Sequence, residues 1–293
     1  MANYLATNSR YWVEINLPFP SYLFRRQYQP QQVQRIRNTK PGIKIFLIHF
    51  EEPLRNSKAS VEVIRDAHLF DLIFTTDRNI VNAIPHAHWS PLAECWTNGS
   101  MKCLSRIDRT EEAKEKEFSV SFNSTSKMYR KGPYEIRKDI WEAANKIKIP
   151  IRFFDSNENP IGAVGSISEF PKLPQGKQFE ISDKIILYKS MFNICPENNP
   201  DENFSQRLID CFINRTIPIY RGYENIGDHF NLDGMIIIKN GEEAVSKINQ
   251  LTPEYYNERL SAIEDNYNRC IKNEYHLSPG ERISNKIKKI YKR

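Results

Sequence analysis

Short, continuously apolar runs alternate along this chain with stretches whose apolar residues recur at helical spacing. Residues 43–50, Ile-Lys-Ile-Phe-Leu-Ile-His-Phe, make one such run and stop at Glu51-Glu52-Pro53; residues 70–76, Phe-Asp-Leu-Ile-Phe-Thr-Thr, make another. Runs this short with no polar alternation read as strands covered on both faces, the kind found in parallel sheets. Residues 11–17 predict an earlier strand, and residues 77–83 a helix after the second run. In the second half, residues 118–122, 151–154, 188–195, 216–220 and 235–238 predict strands. Ile136, Ile140, Ala143, Ala144 and Ile147 mark one face of a helix over 134–147, and helices are also predicted at 205–214, 242–249 and 253–272. Residues 156–180, rich in Gly, Pro and Ser, predict a loop.

Strands alternating with helices argue for parallel sheets covered by helices. A chain of 293 residues holds two domains of about 100–150 residues each. The charged stretch 109–117 is the expected linker, giving an N-terminal α/β domain at 1–112, a C-terminal α/β domain at 113–270 and a basic tail at 271–293. The simplest architecture is two such domains with a cleft between them. Ligands of open α/β sheets sit beyond the carboxyl ends of the strands, so residues at those ends matter most.

Charge and cysteine usage narrow the function classes. The formal charge is +6, from 42 basic and 36 acidic residues. Residues 282–293 carry Arg282, Lys286, Lys288, Lys289, Lys292 and Arg293 and no acid, so the rest of the chain is near neutral. That argues against a broad nucleic-acid-binding surface. Within the tail, Ile283, Ile287 and Ile290 share a helical face among the lysines. Such a helix either lies on an anionic membrane surface or packs its isoleucines on the body. The five cysteines are odd in number and include no Cys-x-x-Cys pair, which argues against a disulfide framework or a structural zinc and for a reducing compartment. No basic segment followed by an apolar one opens the chain, and no run of about 18 apolar residues occurs, so the expected location is cytoplasmic, with peripheral membrane contact through the tail as the alternative. His86 and His88 read as a loop pair, and the chain has no Asp-x-Asp motif.

The richest segment runs from Phe192 to Gly222. A strand ends at the polar pair Glu197-Asn198, a short loop follows, and a helix opens at Ser205, a good N-cap residue. Gln206 and Arg207 fall in the first turn, where unpaired N–H groups and the helix dipole favour an anion, and a guanidinium has the fork geometry for phosphate. The plainer reading is an ordinary strand–loop–helix connection with a solvated arginine.

This segment, with its continuation Pro218-Ile-Tyr-Arg-Gly and Asn225-Ile-Gly-Asp-His-Phe-Asn, resembles the signature of the α1,3-fucosyltransferases, glycosyltransferase family ten, in its bacterial and viral branch. The resemblance covers roughly residues 43–250 and is strongest over 188–238. It implies a GT-B fold, two Rossmann-like domains facing across a cleft. It also implies GDP-fucose as donor, an oligosaccharide acceptor, one inverting displacement, and no metal or resident cofactor. Phe50-Glu51-Glu52-Pro53 resembles the family's step after an N-domain strand, which makes Glu51 the expected general base, with Glu52 its rival. Arg137 matches the arginine used on the donor pyrophosphate. Glu197, Asn198, Ser205, Gln206 and Arg207 match donor-binding positions; Asp77 and Tyr220 match residues that shape the cleft. The chain departs from the pattern at Pro196, Asn203 and Arg221, and it has Ser205-Gln206-Arg207 where the family has Thr-Glu-Lys. A different nucleotide sugar, or a catalytically idle glycan- or nucleotide-binding protein on the same fold, is the alternative these departures leave open.

Overall fold

The computed structural model describes residues 3–5, 21–25, 29–50, 57–95, 97, 110–124, 135–155, 181–197 and 203–291. The strand expected at 11–17 and the loop expected at 156–180 lie outside the described residues. The chain divides into two compact units, Met1–Leu92 with Pro279–Arg293, and Ala93–Ser278.

The first unit is built on five parallel strands in chain order: β1 (Asn3–Leu5), β2 (Ser21–Arg25), β3 (Lys44–His49), β4 (Leu72–Thr75) and β5 (Ala87–Trp89). Helices α1 (Pro30–Thr39), α2 (Ser57–Arg65) and α3 (Arg78–Ala83) connect them. Successive strand residues point to opposite faces. Ile45, Leu47 and Ile73 therefore meet Val33, Val63 and Ile80 of these helices on one face, while Phe46, Ile48, Leu72 and Phe74 fill the other. Both faces are covered, which is why the run in β3 has no polar alternation.

The second face is closed by the last helix, α9 (Pro279–Tyr291), whose Ile283 and Ile287 are buried against Phe46, Ile48, Leu72 and Phe74. Burying each isoleucine contributes about 1.5–3 kcal/mol. Arg282 pins the helix start by donating to the Pro91 carbonyl at 2.6 Å. This corrects two expectations. The tail is not a separate segment from 271: residues 271–278 stay with the second unit, and Pro279–Arg293 belongs to the first. Its isoleucine face is also not available to a membrane, because the core of that unit occupies it; Lys286 and Lys289 stay exposed on the other side. No helix among the described residues is long and apolar enough to cross a membrane.

The second unit begins at Ala93, not after 112. The reason is local bonding: Cys95 N–H donates to the His276 carbonyl at 3.3 Å, and Asn214 donates to Thr97 Oγ1 at 2.6 Å. The charged stretch expected as a linker instead forms a single turn, Thr110–Ala113, that buries Ala113 and leads straight into a strand. Of its charges Glu111, Lys114, Glu115 and Glu117 are exposed, while Lys116 turns inward.

Five parallel strands form the second sheet: β6 (Glu117–Ser124), β7 (Ile151–Asp155), β8 (Ser190–Pro196), β9 (Ile217–Arg221) and β10 (Ile236–Ile237), in the order β10-β9-β8-β6-β7. Helices α4 (Glu135–Glu142), α5 (Gln206–Ile213), α6 (Gly241–Ile248), α7 (Pro253–Asn257) and α8 (Leu260–Lys272) accompany it. Val120, Phe122, Phe192, Ile194, Ile217 and Ile219 pack against Ile140 and Trp141 of α4 and Ala244 and Ile248 of α6. The helix expected over 134–147 ends at Glu142, and a separate turn follows at Ala144–Lys146. The Asn249 carboxamide holds that turn, accepting from Lys148 N–H at 2.7 Å and donating to the Lys146 carbonyl at 2.9 Å. The helix expected over 253–272 breaks at Glu258 and Arg259, with Tyr256 turned inward and its hydroxyl donating to the Arg215 carbonyl at 2.7 Å.

At the amino-terminal end of this sheet Lys116 Nζ donates to the carbonyls of Tyr188 and Asn214 and to Thr216 Oγ1. One ammonium thus ties together the segment before β8, the end of α5 and the start of β9. Cys95, Cys195, Cys211 and Cys270 are buried free thiols.

Candidate functional site

In the second sheet β6 and β8 are neighbours, β7 lies on one side of the pair and β9 on the other. The chain reverses its direction of winding between β6 and β8. In doubly wound sheets this switch point opens a crevice at the carboxyl ends of the strands, where ligands bind. The polar residues singled out around 197–207 lie at that end of β8.

Glu197, Ser205 and Arg207 meet there, joined by Arg137 from α4. β8 ends at Pro196, and Glu197 follows with its N–H donating to the Arg221 carbonyl at 2.8 Å, one step beyond β9 pairing. Arg137 reaches in from α4. It is 3% exposed, and its Nη2 donates to the Pro196 carbonyl at 2.8 Å. Arg207, in the first turn of α5, sends Nη1 to the same carbonyl at 3.4 Å. Two permanent cations therefore converge on one backbone oxygen. A guanidinium does not lose its proton in proteins, so this place carries fixed positive charge of a kind that suits an anion.

The start of α5 is built for the same purpose. Ser205 is its N-cap, with Oγ accepting from Arg207 N–H at 3.4 Å, and Ser205 N–H donates to Glu197 Oε1 at 2.8 Å. Beyond the cap, the N–H groups of the first turn carry the positive end of the helix dipole. Gln206 opens the helix and is partly exposed. Among the described residues of this cluster, the side chains with charge and fork geometry for a diphosphate are Arg137 and Arg207.

Tyr220 is in the interior, 1% exposed, and its hydroxyl accepts from Tyr223 N–H at 3.0 Å. Burial, reinforced by the Glu197 carboxylate, holds its phenol well above the usual range. Gly222 lies against both groups. A Cβ on it would sit 2.3 Å from Tyr220 Oη and 2.7 Å from Glu197 Cγ.

The remaining expected site residues fall elsewhere. Asp77 is in the first unit, buried, as the N-cap of α3: Oδ1 accepts from Asn79 N–H at 2.8 Å and Oδ2 from Ser60 Oγ at 2.5 Å. Both oxygens are engaged in the local scaffold, where Asp77 caps a helix at the end of β4. Glu51, Glu52 and Asn198 lie outside the described residues. Two contributors escaped the sequence reading. Pro196 drew attention only as a departure from a pattern, although its carbonyl is the point on which both arginines meet. Gly222 stood in the motif without a reason. A backbone acceptor and a missing Cβ leave no side-chain signal to read. Among the described residues, no three or more His, Cys, Asp or Glu side chains are grouped so as to hold a metal ion.

No family model matches this chain, and no curated protein matches it by sequence. Solved structures do match its fold. An α1,3-fucosyltransferase with GDP-fucose aligns over 94% of this chain and 92% of its own, at 16% identity and a TM-score of 0.50. A sucrose-phosphate synthase from Thermosynechococcus elongatus aligns over 94% and 73%, at 10% identity and a TM-score of 0.55. An α,α-trehalose-phosphate synthase (UDP-forming) from Burkholderia vietnamiensis aligns over 91% and 69%, at 8% identity and a TM-score of 0.57. These are glycosyltransferases of the GT-B type, and the chain has that mixed α/β fold with parallel sheets.

Proposed function

We propose that this chain is a glycosyltransferase that moves a sugar, fucose from GDP-fucose, onto a hydroxyl of an acceptor glycan by a single inverting displacement. The observation that carries the reading is the convergence of Arg137 and Arg207 on the Pro196 carbonyl beside the start of α5, at the switch point of the second sheet. Breaking the bond from the sugar to a nucleoside diphosphate leaves extra negative charge on the diphosphate. Two guanidiniums and a helix N-terminus, fixed before the reaction, stabilise that charge as it develops. The sugar carbon passes through an oxocarbenium-like state, and the acceptor hydroxyl must lose its proton as it attacks. The sequence resemblance assigns that proton to the carboxylate of Glu51. The same resemblance supports a donor site that needs no metal, in which the two arginines do the electrostatic work.

The test is release of GDP from GDP-fucose, in the presence of a metal chelator, with and without β-galactoside and N-acetylglucosamine acceptors. Acceptor-dependent release is expected, and its absence with a full range of acceptors would sink the fucosyl reading. In the same assay Arg137→Lys is expected to lower kcat/KM by about 10²–10³, the scale of one lost preorganised donor. Arg207→Lys, which restores the family's own residue at a looser and more exposed contact, is expected to change it by about tenfold or less. Glu51→Gln with undiminished turnover would reject the base assignment.

A second reading keeps the reaction and changes the nucleotide. It is supported by Gln206, which stands where the fucosyltransferase signature has a glutamate. Competition between GDP and UDP for binding separates the two.

A further inference from the structure

Resting on that reading of the site, we propose that Glu197, Tyr220 and Gly222 form a brace that sets the start of α5, and that Glu197 and Gly222 are positioning residues of the donor site. Glu197 follows the strand whose last carbonyl holds both arginines, and its carboxylate accepts the Ser205 N–H at 2.8 Å. Ser205 is the N-cap of the helix that carries Arg207. The carboxylate therefore holds the helix start at a fixed distance from the end of β8. Glu197 is 5% exposed, which suits a brace better than a group presented to a sugar.

The brace is walled on its other side. The Tyr220 ring, at the end of β9, is held by Tyr223 N–H at its hydroxyl. Gly222 lies between the two side chains, with space for a hydrogen and none for a methyl group: the added carbon would be 2.3 Å from the phenol oxygen, 2.5 Å from the ring and 2.7 Å from Glu197 Cγ. Real Cβ atoms do not approach this closely, so a larger residue must move the phenol or the carboxylate. Moving the carboxylate moves the Ser205 N–H that it holds, and with it the first turn of α5.

Two side-chain properties separate this role from direct contact with the donor. A brace needs an oxygen that accepts a hydrogen bond, which glutamine also has. A contact that stabilises positive charge on the reacting sugar needs the negative charge, which glutamine lacks. The experiment compares the full-length wild type with Glu197→Ala, Glu197→Gln and Gly222→Ala, measuring GDP affinity by calorimetry, donor KM and kcat, and amide hydrogen exchange over residues 203–208. Glu197→Ala and Gly222→Ala are expected to weaken GDP and raise donor KM about tenfold or more, with a smaller change in kcat, and to speed exchange at the start of α5. Glu197→Gln is expected to recover most of both losses. Loss of kcat in Glu197→Gln equal to that in Glu197→Ala, with GDP affinity and exchange unchanged, would overturn the brace and make the carboxylate a donor contact. So would a folded Gly222→Ala protein that binds GDP and exchanges like wild type. If Gly222→Ala does not fold, the Glu197 pair still decides. A wild type that binds neither GDP nor UDP brings down the reading of the site itself, and the exchange data tell that failure apart from failure of the brace.

Discussion

Two buried cations sit at opposite ends of the second sheet, and their side chains answer burial differently. Arg137 keeps its proton at any pH the protein survives, so burial cannot neutralise it. Lys116 can give its proton up. Burial pulls its ammonium from 10.5 down to about 7, with the Cys211 thiol opposing and Arg215 assisting. Three oxygens accept from its Nζ, which suits the charged form and keeps the shift from going further. The pH dependence follows from the direction. In the unfolded chain Lys116 keeps its proton up to about pH 10.4. Between about 7 and that value the unfolded state binds the extra proton, so this residue's penalty is full below pH 7 and lifts as pH rises. Stability of the wild type relative to Lys116→Met is expected to increase by on the order of 2–3 kcal/mol between pH 6 and pH 9. Denaturant melts of both proteins at each pH measure it; a gap that stays constant or narrows would mean the three oxygens hold the charge throughout.

At the scale of elements, the site depends on how closely α4 approaches α6. Gly241, the first residue of α6, faces the α4 backbone: a Cβ there would be 2.5 Å from Asp139 Cβ and 3.1 Å from the Asp139 carbonyl carbon. Asp139 is two residues from Arg137. Gly241→Ala is expected to cost about 1–3 kcal/mol of stability by overpacking and to weaken nucleotide binding by shifting the arginine. Thermal unfolding and GDP calorimetry test both; full stability and affinity would mean α4 yields without moving Arg137. Elements of this unit were legible in the sequence where burial imposed a pattern. β8 and β9 show as apolar runs, and α5 shows through the cap Ser205 and an apolar face that includes Leu208, Ile209 and Phe212. Of the helices of the first unit, α3 was legible at residues 77–83, while α1 and α2 were not, for the converse reason. Of the residues of α1 only Val33 is fully buried, so it has no stripe for a periodicity to reveal. In the site, charged side chains at a strand end and in a helix first turn were legible. The carbonyl that collects them and the absent Cβ that makes room for Glu197 were not, because both are facts of backbone placement.

At the scale of the molecule, the second unit, Ala93–Ser278, is inserted in sequence between the two parts of the first. The first unit is thus completed by the end of the chain, and the fold of its sheet depends on residues more than two hundred positions from β3. Ile283 and Ile287 are 1% and 0% exposed, and without them Phe46, Ile48, Leu72 and Phe74 would face water. Ile287→Ala is expected to destabilise this unit by about 2–5 kcal/mol, the range for removing a buried aliphatic side chain. Replacing the exposed Lys286 and Lys289 with glutamine is expected to change stability by less than about 0.5 kcal/mol, because neither side chain fills the core. Hydrogen exchange makes the test specific to the unit. Ile287→Ala should lose protection in β3 and β4 while β8 and β9, in the other unit, keep theirs. Equal loss in all four strands would show that the two units unfold as one. Loss in none, together with vesicle binding that depends on Ile287, would return the isoleucine face to a membrane and remove it from the core.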